Sequence, residues 1–418
     1  LFVAGYLVVL LAVGYFSYRA RQTNSMRDFY LAGDGIGFTV LLLTLYATQY
    51  SGNTLFGFPG KTYRIGYSWL IAVHFMTAIV CVYVFFAPQL YRLSQRFHFV
   101  TPADFLNHRY GYAPLNGLAT AVMVVAIANY LLAQLMAMGR AMEGLTDIND
   151  DTAYVFGVVV LVAIIVVYET LGGFRAVAWT DVIQGSVLMA GFAILLWLVL
   201  QRFGGLEAAT QNLAANAPEK VALPDGDRIR EWFSYILLVG LGGALYPQSI
   251  QRIYAARSGL ALKRSLMIMA FLPLTTTLIV VTVGIIGAAE IQGLEKEASD
   301  RLLTIMCRTI QEESRFGYWL VVVLFSAVLA GVMSTADSVL LSISSMLTKD
   351  VYGRFLRPEA TEEALTKVGK RISWCVIAMM ATLAIVLRQT TLVTLLDRKF
   401  DLLVQLSPGF LIGFYWPS

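Results

Sequence analysis

A run of apolar residues from 325 to 347 carries oxygen-bearing side chains at its centre. Asp337 and Ser338 follow Ser334 by three and four residues, so a helix groups all three on one side, with Thr335 beside them. The run is long enough to cross a bilayer, where a carboxylate is costly unless it faces a cavity or a partner. Hydroxyl and carboxylate oxygens are the ligands that hard cations prefer. The cluster therefore predicts a cation site, although serine and threonine also mediate packing between membrane helices.

The composition is that of a polytopic membrane protein. The 418 residues are 58% hydrophobic and 14% charged, with a mean hydropathy of +0.68, whereas soluble proteins carry about 25% charged residues. The net charge is only +4, and the sequence has no basic stripe of the kind that binds nucleic acid. The three cysteines have neither a metal-binding spacing nor a disulfide framework. We therefore expect one transmembrane domain over 1–418, embedded in a lipid bilayer, in a chain from which both natural ends are missing.

Eleven apolar runs are long enough to span the membrane. They lie at about 1–18, 36–58, 67–90, 114–140, 153–169, 177–201, 232–251, 266–289, 317–347, 371–388 and 400–416. Lysine and arginine collect in alternate connections, including a group formed by Arg252, Arg257, Lys263 and Arg264. Because basic residues stay on the cytoplasmic side, this pattern predicts a multi-pass protein of the cytoplasmic (inner) cell membrane with its N-terminus outside.

Two of these runs are interrupted. The stretch 44–60 surrounds Gly52 with polar residues and ends in Pro59-Gly60, and the stretch 239–248 holds three glycines and Pro247. Irregular backbone survives at membrane depth only inside protein or beside water, and paired interruptions are typical of transporter sites. The alternative is that the glycines merely allow close helix packing.

The two interruptions lie five spans apart, which predicts a five-plus-five inverted repeat. The first repeat would comprise 36–201 and the second 232–416, with 1–18 as an extra helix. A second acid, Asp181, follows Arg175 near the inner end of the sixth span, beside Gln184 at i,i+3. It either caps the start of that helix or pairs with the oxygen cluster described above.

These stretches resemble the sodium:solute symporter family, in order along nearly the whole chain. The motifs that carry the resemblance are GGFRAVAWTDVIQG at 172–185, GLGxxxxPxxxxRxxAA at 240–256, VMSTADSxLL at 332–341 followed by TKDVY at 348–352, and SGxxxxGxPG at 51–60. The resemblance implies an all-α fold of the LeuT type, sodium coupling and alternating access. It also implies two or three further helices after residue 418.

The resemblance further implies a main sodium site. Its ligands would be the backbone carbonyls of Ala47, Tyr50 and Gly331 and the side chains of Ser334 and Thr335.

Some family members bind a second sodium ion near the inner side. The corresponding residues here are Asp181, Ser334, Asp337 and Ser338. Asp337 stands where those members have a hydroxyl, so this chain either has a stronger second cation site or a protonatable pair of acids.

The solute is expected to be a small polar organic molecule. The family's proline carriers have an acid at the position of Gln49 and aromatic residues at those of Val239 and Gly243, which argues against proline. The residues expected to line the solute cavity are Ser51, Thr54, His74, Tyr130, Gln134, Tyr246, Gln248 and Gln405. None of them is a lysine or arginine, so an anionic solute would depend on hydroxyls, amides and helix N-termini. His74 could equally be structural, and Tyr246 could serve as a gate or as a packing residue.

The sequence thus predicts a sodium-coupled symporter and no enzyme, since no nucleophile–base set, phosphate-binding loop or haem or zinc motif is present. Two alternatives stay open: a proton-coupled carrier of the same fold, and a symporter-like sensor domain. The oligomeric state does not follow from the sequence.

Overall fold

The computed structural model describes residues 2–20, 23–143, 149–296, 298–313, 315–388 and 392–416, which fold into a helical bundle. In chain order the α-helices are α1 Phe2–Arg19, α2 Met26–Leu31, α3 Phe38–Gln49, α4 Phe58–Ile65, α5 Ile71–Phe97, α6 Pro102–Tyr110, α7 Ala113–Glu143, α8 Asp150–Phe203, α9 Leu206–Asn216, α10 Gly226–Gly243, α11 Pro247–Ala255, α12 Gly259–Met269, α13 Leu272–Glu290, α14 Leu302–Glu313, α15 Arg315–Met346, α16 Glu362–Val386, α17 Leu392–Val404 and α18 Gly413–Tyr415. Segments of π-helix occur at Asn53–Gly57, Leu347–Leu356 and Pro408–Ile412. Within the described ranges, the one β-type pairing is a bridge between Ile36 and Ala256.

Each of the eleven predicted spans contains helix. By length and composition, the described residues hold six helices able to cross a membrane, or seven if the bent pair α10–α11 counts as one span. The difference from eleven has structural causes. The 54-residue helix α8 contains two predicted spans, while α3 and the apolar part of α1 are short. The last predicted run, 400–416, divides between the end of α17, a π-helical turn and α18. The number of crossings and the division into two repeats stay predictions.

The first predicted interruption is confirmed. Helix α3 ends at Gln49, Tyr50 is extended (φ −99°, ψ 106°), and the chain resumes as a π-helical turn before α4. A Cβ on Gly52 would lie 2.6 Å from the Cβ of Ala137, so α7 packs directly against the backbone at the break. Only glycine permits this approach.

The second predicted interruption is also confirmed, between α10 and α11, whose axes differ by 50°. Pro247 opens α11, where its missing N–H costs no intrahelical hydrogen bond. Gly240 and Gly243 face α5, and a Cβ on either would lie within 3 Å of Ala78 or Ile79. These glycines therefore allow close helix packing, which was the alternative explanation, and they also lie beside a real break in the helix.

Helix α8 has a break of its own at Gly173, which has φ 56° and ψ −149°. A Cβ there would lie 2.5 Å from the carbonyl oxygen of Phe29 in α2. The break changes the direction of α8 just before the turns that carry Arg175 and Asp181, so it sets the position of the second acid.

Helix α15 forms the centre of the bundle and packs against α3, α7, α8 and α16. Its polar cluster of Ser334, Thr335, Asp337 and Ser338 is fully buried. Ion pairs close the bundle at both ends. At one end Arg140 of α7 lies 2.6 Å from Asp300, and at the other, in the π-helical turn after α15, Lys349 lies 2.7 Å from Asp104 of α6.

We predict that Gly173→Ala destabilises the protein by about 2 kcal/mol or more, because alanine at positive φ is strained and its methyl group would collide with Phe29. Thermal unfolding of the purified protein in detergent measures the effect. Gly226→Ala is the control, since a Cβ on Gly226 has no neighbour within 4 Å. Equal unfolding midpoints for the two variants would contradict this account of the break.

Candidate ion and substrate site

The end of α3 faces the middle of α15 across a short gap. The Thr335 hydroxyl lies 3.4 Å from the carbonyl oxygen of Ala47 and 3.1 Å from that of Gly331. The Ala47 carbonyl belongs to the last turn of α3, where carbonyls lack an intrahelical partner, because the Ser51 amide turns to the Thr54 hydroxyl instead. Such a helix end carries partial negative charge, and this set of oxygens fits a sodium ion.

Three of the five predicted main sodium ligands therefore converge, namely Ala47, Gly331 and Thr335. Tyr50 directly follows the end of α3 and lies in extended conformation beside this gap. Ser334 behaves differently, since its hydroxyl donates to Asp181 on α8. In this conformation Ser334 belongs to the neighbouring acid cluster.

The acid cluster brings together all four residues predicted for a second sodium ion. Besides the bond from Ser334 to Asp181, the Ser338 hydroxyl donates to Asp337 at 3.1 Å. The Asp337 carboxylate also accepts from the Tyr168 hydroxyl. The interpretation of Asp181 as a simple helix cap is thus wrong, because its carboxylate is buried inside the bundle and bonded to α15.

Arg252 of α11 also lies inside this cluster, a position that the sequence pattern does not predict. Its guanidinium Nη2 is 2.9 Å from Asp181 and 2.5 Å from Ser338, and its Nε donates to Thr44 at 2.8 Å. Only 1% of Arg252 is exposed, so its assignment to the inner surface with the other basic residues is wrong. The break before α11 explains the error, because Arg252 lies on the short helix that follows the break and points into the bundle.

The cluster therefore contains two carboxylates and one guanidinium. Arg252 forms an ion pair with Asp181, whereas the bonds described for Asp337 come from the uncharged hydroxyls of Tyr168 and Ser338. A buried charge without a counter-charge is costly, so the Asp337 side of the cluster suits a further cation or a proton.

A small cavity lies beside the first break. Polar residues of the broken segment line one wall, and aromatic and apolar residues line the other. The lining residues are Gln49, Ser51, Asn53, Thr54, Phe58, Phe75, Met76, Ile79, Tyr130, Tyr246, Lys399 and Phe400. The space open to the centre of a water-sized molecule is about 10 Å³, which is room for about one water. The ion pairs described above close the two ends of the bundle in this conformation.

Four of the predicted solute-binding residues line this cavity: Ser51, Thr54, Tyr130 and Tyr246. The rings of Tyr130 and Tyr246 stack with centroids 5.5 Å apart. Gln134 lies just behind the wall, where its side-chain oxygen accepts a hydrogen bond from the Gly52 amide at 3.0 Å and stabilises the break.

Gln248, in the first turn of α11, is buried, and neither side-chain polar atom has a hydrogen-bond partner among the described residues. Its backbone carbonyl accepts from Arg252 at 3.0 Å.

Two predicted residues lie away from the cavity. His74 is exposed on α5, with its Nδ1 3.3 Å from the Leu70 carbonyl and its ring 6.2 Å from that of Trp232. Successive side chains on a helix are rotated by about 100°, so His74 points away from the cavity although the next residue, Phe75, lines it. Gln405 is exposed just after the end of α17 and bonds to the Asp401 carbonyl.

The expectation that the cavity holds no basic side chain is wrong. Lys399 of α17 is fully buried, with its Nζ 3.0 Å from the ring centroid of Tyr130 and 4.7 Å from that of Tyr246. The predicted last span begins at residue 400 and so leaves Lys399 at its edge, whereas α17 begins at Leu392. The charged residues in 397–401 lower the hydropathy of this segment, so the sequence does not predict that Lys399 lies on a buried face of a helix.

Residues 29–418 match the model of the sodium:solute symporter family. The osmoregulated proline transporter OpuE of Bacillus subtilis (strain 168) is 26% identical, over 98% of this chain and 82% of that protein. The sodium/pantothenate symporter of Escherichia coli (strain K12) is 27% identical, over 83% of this chain and 71% of that protein.

Solved structures show the same fold. A Na⁺-coupled sialic acid symporter in a substrate-bound, outward-open state superposes with a TM-score of 0.81 at 19% identity, over 98% of this chain and 85% of that one. The nucleobase-cation-symport-1 family transporter MHP1, in a closed conformation, gives 0.54 at 14% identity, over 85% and 75%. The predicted helical fold class is confirmed.

We predict that Arg252→Met lowers the free energy of unfolding by about 3–5 kcal/mol, because it leaves Asp181 buried without its cation. The double variant Asp181→Asn/Arg252→Met should lose less than the single variant. Thermal unfolding is measured in choline chloride, since sodium could replace the guanidinium beside Asp181.

Arg228→Met is the control, because Arg228 pairs with Glu231 at the surface with about half of each side chain exposed. Asp181→Asn alone completes the cycle. If the losses of Asp181→Asn and Arg252→Met simply added in the double variant, the two groups would not be coupled.

Proposed function

Because the chain belongs to the sodium:solute symporter family, we propose that it is a secondary active transporter that moves a small organic solute across a membrane together with sodium. Curated relatives are named for proline and pantothenate, and a structural neighbour for sialic acid. One observation carries the proposal: the Thr335 hydroxyl faces the Ala47 carbonyl at the broken end of α3.

Sodium at this point would join two helices. The proposed ligands are the carbonyls of Ala47, Tyr50 and Gly331 and the hydroxyls of Ser334 and Thr335, with Ser334 rotating away from Asp181 when the ion binds. An ion shared by α3 and α15 holds them together, and its departure weakens that contact. Because Ser51 of the same break lines the cavity, sodium and solute would raise each other's affinity by the same factor.

Alternating access requires the two closed ends to open in turn. At the end that holds Asp300, the carboxylate is buried between Arg140 at 2.6 Å and Arg64 at 3.5 Å. At the other end, Lys349 bonds to Asp104, and Thr101 donates to Asp350 at 2.9 Å. We assign the Asp300 end to the outside, with the N-terminus also outside and the protein in the cytoplasmic membrane, because basic residues collect on the opposite side.

A second cation is proposed beside Asp337. The support is the charge of the cluster, where one guanidinium faces two carboxylates. A proton-coupled carrier is the second candidate function, because a proton on Asp337 would balance the same charge.

We predict that Thr335→Ala raises the sodium concentration needed for half-maximal stabilisation about tenfold or more, since it removes a ligand hydroxyl. The thermal midpoint of the purified protein is titrated with sodium chloride against choline chloride at constant ionic strength. Ser326→Ala is the matched control, because Ser326 is another buried hydroxyl residue of α15, and among the described residues its hydroxyl bonds to the Val322 carbonyl of its own helix. Identical titrations for the two variants would exclude this sodium site.

We predict that Asp337→Asn lowers the Hill coefficient of the sodium titration from about two toward one, as loss of one of two coupled cations requires. The titration is repeated at several fixed pH values. An unchanged sodium titration together with a changed pH dependence would favour the proton-coupled carrier and remove the second sodium.

A further inference from the structure

Lys399 places a cation in the middle of the bundle. Its Nζ lies over the rings of Tyr130, Tyr246 and Phe400, at 3.0, 4.7 and 5.0 Å from their centroids. These rings attract a cation through their π-faces but accept no conventional hydrogen bond. The ammonium group has no hydrogen-bond partner among the residues that the structure describes. Its three N–H donors are therefore available to a ligand.

Two acids, Asp397 and Asp401, lie two residues from Lys399 on α17, and residues two apart lie on different sides of a helix. Asp401 is exposed, whereas Asp397 lies against α10. Its carboxylate accepts a hydrogen bond from Tyr235 of α10 at 2.9 Å. Lysine is almost never fully buried unless it is paired, so the position of Lys399 indicates a counter-charge that arrives with the solute.

The remaining polar wall is neutral. Gln49, Ser51, Asn53 and Thr54 line the cavity with Lys399, and the described lining includes no aspartate or glutamate. Both polar atoms of the Asn53 side chain are buried without a hydrogen-bond partner among the described residues. The cavity thus offers one lysine side chain and the amide group of Asn53, and its described lining has no carboxylate.

These features discriminate between classes of solute. The ammonium group of an amino acid would lie in a cavity that already holds a lysine and has no acid to receive it. A carboxylate meets the Lys399 side chain, and a hydroxyl or carbonyl meets the amide of Asn53. The apolar wall of Phe75, Met76 and Ile79 accommodates a short carbon chain.

We propose that the solute is a small monocarboxylate without an amino group, and that its carboxylate pairs with Lys399. The inference rests on the proposed function, since it assumes that this cavity is the solute site.

The test uses the purified full chain in detergent with saturating sodium. Thermal stabilisation is measured with acetate, propionate, L-lactate and pyruvate. The matched neutral probes are acetamide, propionamide and lactamide, and the amino-acid probes are L-alanine and L-proline. At least one carboxylate is expected to stabilise the protein, and its amide and the amino acids are expected to have no effect. Stabilisation by an amide or an amino acid instead, or by no carboxylate, overturns the proposal.

Lys399→Met should raise the Kd of the active carboxylate at least about thirtyfold, because a buried charge loses its partner. The stabilisation by sodium alone should persist, which shows that the variant is folded. Lys370→Met is the matched control, because Lys370 also lies over an aromatic ring, 5.0 Å from the centroid of Phe29, but outside the cavity. Carboxylate binding that survives in Lys399→Met overturns the proposal.

A second variant covers the case in which Lys399→Met does not fold. Lys399→Arg keeps the charge and should bind the carboxylate while still rejecting its amide, and equal binding of both overturns the proposal. The proposed function is contradicted by a different result, namely that sodium does not stabilise the wild-type protein, either alone or together with any of the probes. The two failures are distinguishable, because carboxylate binding to Lys399 can be measured without a sodium effect.

Discussion

The structure depends on backbone groups at the two helix breaks that have no hydrogen-bond partner within their own helix. A lipid-exposed break would leave carbonyl and amide groups without partners, so both broken helices must be enclosed by the rest of the bundle. The enclosure is specific at the first break. Gln134 accepts from the Gly52 amide, the Thr54 hydroxyl accepts from the Ser51 amide, and the Thr335 hydroxyl approaches the Ala47 carbonyl. Helices α7 and α15 thereby hold open a gap in α3 that offers oxygen atoms to a cation.

Buried charge is the second constraint, and the chain meets it by using side chains as internal cations. Arg252 neutralises Asp181 and at the same time donates to Thr44 and Ser338, which joins α3, α8, α11 and α15 at one point. Such a pair adds little net stability over apolar packing, but breaking it is costly, so it fixes the relative positions of four helices. Lys399 differs, because no residue in the described part of the chain accepts a hydrogen bond from its Nζ. One buried cation thus organises the bundle, and the other is available to a ligand.

Much of this arrangement follows from the sequence because it is local. Glycine and proline mark the two breaks, and helical spacing groups Ser334, Thr335, Asp337 and Ser338 on one helix. The two internal cations do not follow. Arg252 stands among basic residues of a segment that the sequence assigns to the surface, and only the bend before α11 turns it inward. Lys399 stands in a charged run that hydropathy excludes from a span, and only the tertiary packing of α17 against α7 and α10 buries it. The prediction that His74 lines the cavity is wrong for the opposite reason. A polar residue in the middle of a span can lie on the outer side of its helix, as His74 does.

The break in α3 connects the ion and the solute over a very short distance. Ala47 and Tyr50 belong to the proposed sodium site, while Ser51 and Asn53 line the cavity with Lys399. A cation at Ala47 would fix the last turn of α3, and that turn fixes the direction in which Ser51 and Asn53 point. Coupling then needs no long pathway through the bundle, since one broken segment bears both sets of ligands. It also limits the solute, because a ligand that pairs with Lys399 from the opposite wall must fit against a backbone whose conformation the ion has already set.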